Sequence, residues 1–305
     1  MQKTDFPFEA IVHDDASTDG SAKIIHEYAE KYPDIIKPIF EIENQYSKHD
    51  GSLNRIMEAH MRGKYIAFCE GDDFWTNPHK LQLQYDAMES HPECTICLSK
   101  VTFADRDGNS LGATIPFGSM VKEGIVNVET LTHTEFYFGK WCFHTSSFFI
   151  RHDMFSVRDR LQSNELKDFP YGDMPLLLSC LLSGPGYFVD QITGYYRTDS
   201  GGYNSSLKKN KEKLINNTLR VIKGLQALNK LTCFKYKKDI EMACLRYEYR
   251  IEVARGNELA IFDNKFKDYR KLIPSRKKAE LRLMMYSPFI YNICKKIKQM
   301  IKPSK

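Results

Sequence analysis

Three stretches of this sequence concentrate carboxylates where a strand or turn should end. "FCEGDDFW" carries Glu70, Asp72 and Asp73; "HDDASTD" carries Asp14, Asp15 and Asp19; "YGDMP" carries Asp173. Carboxylates crowded at the mouth of an apolar strand repel one another and resist losing water, so something must compensate them. A hard divalent cation such as Mg²⁺ or Mn²⁺ does this, taking oxygen ligands and completing its shell with phosphate oxygens. The chemistry that suits the pattern is work on a phosphate-bearing substrate. Taken singly, two of the sites have plainer readings. Asp14 and Asp15 can merely end a strand with Asp19 capping the next helix, and Asp173 can be an N-cap ahead of Pro175. The run from Glu70 to Asp73 is hardest to treat as a loop accident, because no turn needs all three charges.

The elements that must position these groups follow from periodicity. "FEAIVHDD" is a short apolar run ending in acid. "SAKIIHEYAEKY" places Ile24, Ile25, Tyr28 and Tyr32 at helical spacing, and "IIKPIFE" predicts a second strand. "SLNRIMEAHMRG" predicts a helix closing at Gly63. "KYIAFCEGDDFW" then predicts a strand apolar on both faces, the habit of a covered parallel sheet. A helix is expected over 78–91 and a strand over 94–104, followed by an irregular stretch to about 150. "HTSSFFIR" predicts a strand, "YGDMPLLLSCLLSG" a helix, and "GYFVDQITGYYRTDSGG" a hairpin-like stretch running into a glycine-rich loop. Beyond residue 206 the text is helical. Alternation of strand and helix favours an α/β sheet with ligands at the carboxyl ends of its strands.

Composition sets outer bounds. With 305 residues, 42% hydrophobic and 27% charged, the chain can build one large domain or a domain with a helical appendage. It holds no run of about 18 uninterrupted apolar residues and no signal-peptide pattern, which places the expected activity in the cytoplasm. The eight cysteines are scattered. Their one close pair, Cys94 and Cys97, has no second pair to complete a zinc site and reads as plain buried thiols.

In order and spacing, "HDDASTDGS", "GKYIAFCEGDDFWTNPHKLQLQ", "HTSSFFIR", "YGDMPLLLSCLLSG" and "YYRTDSGG" resemble the family-two glycosyltransferases, the inverting bacterial sugar transferases of the GT-A fold. The resemblance spans residues 6 to 206. It implies a Rossmann-like mixed α/β sheet flanked by helices, as a GT-A domain over 1–206 with a helical C-terminal region over 207–305. It further implies a UDP-sugar donor, Mn²⁺ or Mg²⁺, and transfer to a saccharide or lipid-linked saccharide acceptor with inversion, in the making of a cell-surface polysaccharide or glycolipid. Carried over residue by residue, Asp14 and Asp15 contact the uracil or ribose. Asp72 and Asp73 match the Asp-x-Asp-like metal motif, with Glu70 where the family often has its first Asp, and Asp173 falls where the family keeps its catalytic base. In "YYRTDSGG", Asp199 stands where the family frequently has a metal- or diphosphate-contacting His, and Arg197 can supply positive charge to the diphosphate. The aromatic pair Phe74 and Trp75 either walls the sugar pocket or packs in the core.

The family opens with a strand, a nucleotide-contacting loop and a helix ahead of the segment that "FPFEAIVHDD" resembles. The resemblance therefore implies a sheet lacking its first strand, with unpaired edges beside the gap. A truncated, inactive binding or scaffold protein is the alternative that this raises. A receiver-like phosphoryl-transfer domain would also hold Mg²⁺ at acidic strand ends, but leaves Asp173 and "YYRTDSGG" without a role.

The charge is uneven. Residues 265–305 hold thirteen Lys or Arg against Asp268 and Glu280, a charge of +11, so the remainder carries −6 within a total of +5. A basic tail interleaved with Leu, Met, Phe, Ile and Tyr suits either peripheral contact with an anionic membrane or a solvated helix lying over the core. Nucleic acid is not an expected partner, since no recognised nucleic-acid module accompanies the basic residues.

Overall fold

The first apolar run becomes β1 (Ala10–Asp14), which leads through the acidic turn into α1 (Ser21–Lys31) and back to β2 (Ile36–Phe40) in a computed structural model that describes residues 1–48, 50–198, 207 and 210–301. The strands pair in parallel, Ala10 opposite Ile36 and Asp14 opposite Phe40. They form a two-stranded sheet of their own, and among the described residues no strand pairing joins it to the main sheet. The expected helix α2 (Ser52–His60) follows.

Where one continuous strand is expected through "KYIAFCEGDDFW", the structure has two: β3 (Tyr65–Ala67) and β4 (Phe74–Trp75). Between them the chain turns, and the Asp73 N–H donates to the Glu70 carbonyl at 2.9 Å. Three carboxylates cannot continue a covered strand, because its buried faces offer them neither water nor enough donors. The turn leaves Glu70 at the surface and Asp72 half-buried, while Asp73 alone goes inside.

After α3 (Lys80–Ser90), β5 (Ile96–Ala104) forms the spine of a seven-stranded mixed sheet. The other members are β3, β4, β6 (Ser110–Ile115), β7 (Gly124–Val126), β8 (Phe149–Arg151) and β9 (Gly186–Arg197). The order is β3-β8-β5-β9-β4, with β6 added to β5 and β7 to β9. The segment read as hairpin-like is a single strand. Its register against β5 jumps between Val189 and Ile192, so Asp190 and Gln191 form a bulge and not a turn. The Asp190 carboxylate there meets the Lys100 ammonium.

Short α4 (Val128–Leu131) runs into a π-helical turn, Thr132–Tyr137; α5 (Met154–Ser163) and α6 (Asp173–Ser183) cover the sheet. The helical part consists of α7 (Lys211–Leu231), α8 (Lys237–Arg255), α9 (Lys267–Leu272), α10 (Ser275–Tyr286) and α11 (Pro288–Ile301). Val221, Leu225 and Leu228 of α7 and Ile240 and Ala243 of α8 lie in one apolar cluster with Ile96, Leu98, Phe148 and Phe188 of the sheet region. Helices α7 and α8 thus share a core with the sheet. A second cluster, with Tyr249, Ile261, Phe266 and Leu281, forms further along the chain. Cys94 and Cys97 are buried free thiols.

Candidate active site

Asp73 is the inner post of the site. Its Oδ2 accepts from the Ser146 hydroxyl at 2.5 Å and its Oδ1 from the Arg197 N–H at 3.1 Å. One buried carboxylate therefore ties the β3–β4 turn to the end of β9 and to the 3₁₀ turn Thr145–Ser147. Burial pushes the Asp73 carboxyl up, and these two donors pull it back.

That 3₁₀ turn is itself held from behind. The Trp75 indole N–H donates to the Ser146 carbonyl at 2.9 Å, and Gln84 Nε2 donates to the Ser147 carbonyl at 2.7 Å and the Cys97 carbonyl at 3.2 Å. Lys80, fully buried, donates to Gln84 Oε1 at 2.5 Å and lies 4.3 Å from the Trp75 ring centroid. Burial pulls its ammonium down to about 7. Trp75 is thus a packing residue, and Phe74 packs on Tyr195 and the Arg197 guanidinium.

Toward the surface, Glu70, Asp73 and His144 each place one ligating atom within 4.8 Å of the others, the spacing of a cation site. Loss of water, then the charges of Asp73, Asp72 and Asp173, push Glu70 up to about 7. Its side chain keeps 47% of its surface exposed, so water softens the desolvation part while the carboxylate repulsion persists. Burial pulls His144 down to about 4 against the attraction of Asp72, leaving a neutral imidazole. Its Nδ1 accepts from the Ser146 N–H at 3.2 Å, so the network assigns the ring proton to Nε2, which faces Glu70 Oε2 at 3.7 Å. In this tautomer the His144 Nε2–H faces Glu70, and the carboxylate oxygens of Glu70 and Asp73 are the donors of this cluster that fit a hard cation.

Asp173 comes to this site from a different element. It is the first residue of α6, with Gly172 as the N-cap, and its Oδ1 accepts from the Met174 N–H at 2.7 Å. Burial pushes its carboxyl up. Glu135, on the π-helical turn, is a further acid beside it: burial, with the Asp173 charge adding, pushes Glu135 up to about 7, while the Cys142 N–H donates to Oε2 at 3.2 Å. The Arg246 guanidinium of α8 anchors that turn through the Glu135 and Phe136 carbonyls. Half-buried Trp141 and Tyr196 stand beside His144, with ring centroids 5.1 Å and 4.4 Å from the imidazole.

Asp14 and Asp15 sit at the end of β1 on the separate sheet, and their carboxylates are engaged locally. Asp14 accepts from Ser17, and Asp15 accepts from the N–H groups of Gln45 at 2.6 Å and Tyr46 at 2.9 Å. Asp14 thus closes the turn after β1, and Asp15 staples the loop that follows β2. Asp19 accepts from the Ser21 N–H at 2.9 Å, standing one residue ahead of the N-cap, which is Gly20 and not the Asp19 that the capping reading expects. Arg197 lies beside Asp73, its Nε buried without a hydrogen-bond partner among the described residues. Asp199, expected as a metal ligand, lies outside the described residues.

Sequence reasoning missed Ser146, His144 and Glu135. A signal existed for the first two: "HTSS" packs polar groups against the start of an apolar strand, as "EGDD" packs them against the end of one.

Residues 1–156 match the sequence model of glycosyl transferase family 2. A Mycobacterium bovis protein, Mb1547, is 44% identical over 107 residues, which is 35% of this chain and 30% of that one. The uncharacterized glycosyltransferase alr2836 of Nostoc is 27% identical over 147 residues, 48% of this chain and 42% of that one. The chain thus spans less than half the length of these relatives. Among solved structures, the mannosyltransferase PcManGT from Pyrobaculum calidifontis, in complex with GDP-Man and Mn²⁺, superposes with a TM-score of 0.51 at 14% identity, covering 99% of this chain and 81% of that one. At that identity the likeness concerns the fold.

Proposed function

This chain belongs to glycosyl transferase family 2 and has the GT-A fold, and from that premise we propose that it is a glycosyltransferase that moves a sugar from a UDP-sugar to a saccharide hydroxyl with inversion. The observation that carries the proposal is geometric: Glu70 and Asp73 of the β3–β4 turn and His144 ahead of the 3₁₀ turn each place one ligating atom within 4.8 Å of the others, and Asp173, at the head of α6, adds its charge to the field at Glu70. Such a site can serve a diphosphate on one side and an attacking hydroxyl on the other.

In this reading Asp173 is the base. Its carboxylate takes the proton from the acceptor hydroxyl as that oxygen attacks the anomeric carbon, and the diphosphate departs with the bonding electron pair. Partial burial suits the role, because a carboxyl pushed up binds that proton more strongly once ionised. Glu70, Asp72 and Asp73 would hold Mn²⁺ or Mg²⁺, which supplies neutralisation of charge on the leaving diphosphate. Mutual repulsion within that set is the sign of fit, since a cation relieves it. Arg197, whose backbone N–H bonds Asp73 and whose Nε is buried without a hydrogen-bond partner among the described residues, would supply positive charge to the diphosphate. Asp14 and Asp15 shape the loop assigned to the base and ribose, and Trp141 and Tyr196 wall the sugar side. A polysaccharide acceptor is supported by a relative in Bacillus subtilis, TuaG, which carries a provisional assignment to teichuronic acid biosynthesis and is 32% identical over 104 residues.

Calorimetric titration of UDP, and of GDP as competitor, with and without Mn²⁺ tests the donor side. Metal-dependent UDP binding that Asp72→Ala abolishes is expected, whereas a preference for GDP would replace the donor assignment. For the base, Asp173→Asn should retain that binding while transfer falls by about 10²–10⁴-fold. Undiminished transfer by Asp173→Asn would remove the assignment.

A further inference from the structure

The sequence leaves two places for the basic tail, over the core or against a charged surface. In the structure the core-covering role belongs to α10, whose Leu281 is buried with Tyr249, Ile261 and Phe266. Helix α11 follows α10 after Ser287, and the large apolar side chains described at its start are exposed. Phe289 is 77%, Ile290 50% and Ile293 43% exposed, with Tyr286 at the junction 76% exposed. Their spacing of three, four and seven residues puts them on one side of the helix. An outward apolar row is not what a merely solvated helix presents.

We propose that α11 is a docking element for a bilayer surface rich in anionic lipid. Two independent features select that occupant. The row Tyr286, Phe289, Ile290 and Ile293 supplies side chains that can enter the boundary between headgroups and acyl chains. In sequence, the segment 265–305 that contains it carries thirteen basic residues against two acidic ones, on a chain whose remainder is net negative. Each basic group near an anionic surface strengthens binding roughly five-fold. A protein partner would need a complementary acidic and apolar groove, and nucleic acid would leave the apolar row in water. Among the described residues no helix is long and apolar enough to cross a membrane, so the contact is peripheral. Docking would bring the transferase to lipid-linked saccharides, but its test does not depend on the sugar chemistry.

The experiment is co-sedimentation of the full chain with vesicles of phosphatidylcholine alone and of phosphatidylcholine mixed with phosphatidylglycerol, across a salt series. Binding to the mixed vesicles, at least ten-fold weaker to the neutral ones and falling with salt, is expected. A Phe289→Asp/Ile293→Asp variant should lose at least ten-fold in affinity with an unchanged melting temperature and unchanged UDP binding. In a Phe289→Trp variant, an emission shift to the blue on adding mixed vesicles would place that position in the boundary. The proposal is overturned if both vesicle types bind equally or not at all, or if the double variant binds as the parent does. A vesicle-independent dimer that the double variant dissolves would reassign the row to self-association and overturn it too.

Discussion

Ser146 and Ser147 are adjacent, equally buried and chemically identical, yet removing their hydroxyls should have different consequences. The Ser147 hydroxyl donates at 2.7 Å to the His144 carbonyl, which also accepts the Ser147 N–H at 2.8 Å. In Ser147→Ala that carbonyl keeps a partner, and the loss should be one neutral hydrogen bond, about 1 kcal/mol. The Ser146 hydroxyl donates at 2.5 Å to the buried Asp73 carboxylate and accepts from the Glu70 N–H at 3.3 Å. Ser146→Ala leaves a buried charge short of a donor, so the loss should be about 2–4 kcal/mol. At roughly 2–3 °C per kcal/mol for a chain of this size, Ser146→Ala should melt about 5–10 °C lower and Ser147→Ala about 2–3 °C lower. Thermal melts followed by circular dichroism measure both. Calorimetry should add that Ser146→Ala weakens Mn²⁺-dependent nucleotide binding while Ser147→Ala leaves it close to normal. Equal melting temperatures, or a larger loss in Ser147→Ala, would refute the assignment of Asp73 as an ionised post held by Ser146.

Buried Lys80 should make stability depend on alkaline pH. Its folded pKa of about 7 lies below the ordinary 10.5, so between those values the unfolded chain binds the proton and the folded chain does not. Stability should therefore rise with pH across that window, by up to about 1.4 kcal/mol per unit. Denaturant titrations of the parent and Lys80→Met at pH 7 to 9 should show the parent gaining on the variant, and a constant difference would contradict the burial argument. Gly224 lies inside α7, where alanine ordinarily stabilises by about 1 kcal/mol. A Cβ there would come within 2.7–2.8 Å of the Phe169 ring, so Gly224→Ala should instead destabilise by about 1–2 kcal/mol in urea unfolding. A stabilised Gly224→Ala would mean that the ring moves aside freely.

The residues themselves determined much of this protein. Period-two and period-3.6 patterns locate β1, α1, β2 and α6, because local backbone preference and a one-sided apolar face agree there. Of the acid runs, the one from Glu70 to Asp73 marks the candidate site, whereas Asp14, Asp15 and Asp19 bond locally on the separate sheet. The sequence does not reveal how those acids divide the work. Glu70, Asp72 and Asp73 look alike in a row, and only the turn between β3 and β4 sends Asp73 inward to Ser146 while Glu70 stays at the surface. Ser146, 73 residues from Asp73, and Glu135, beside Asp173 on a π-helical turn, joined the site through contacts that no local periodicity encodes. The same limit made the β9 bulge look like a hairpin, because Asp190 has turn chemistry, and the neighbouring strand with Lys100 decided otherwise. Local pattern reports what a segment prefers alone; which side chains share a low-dielectric site depends on long-range pairing, and that is set only when the sheet closes over its core.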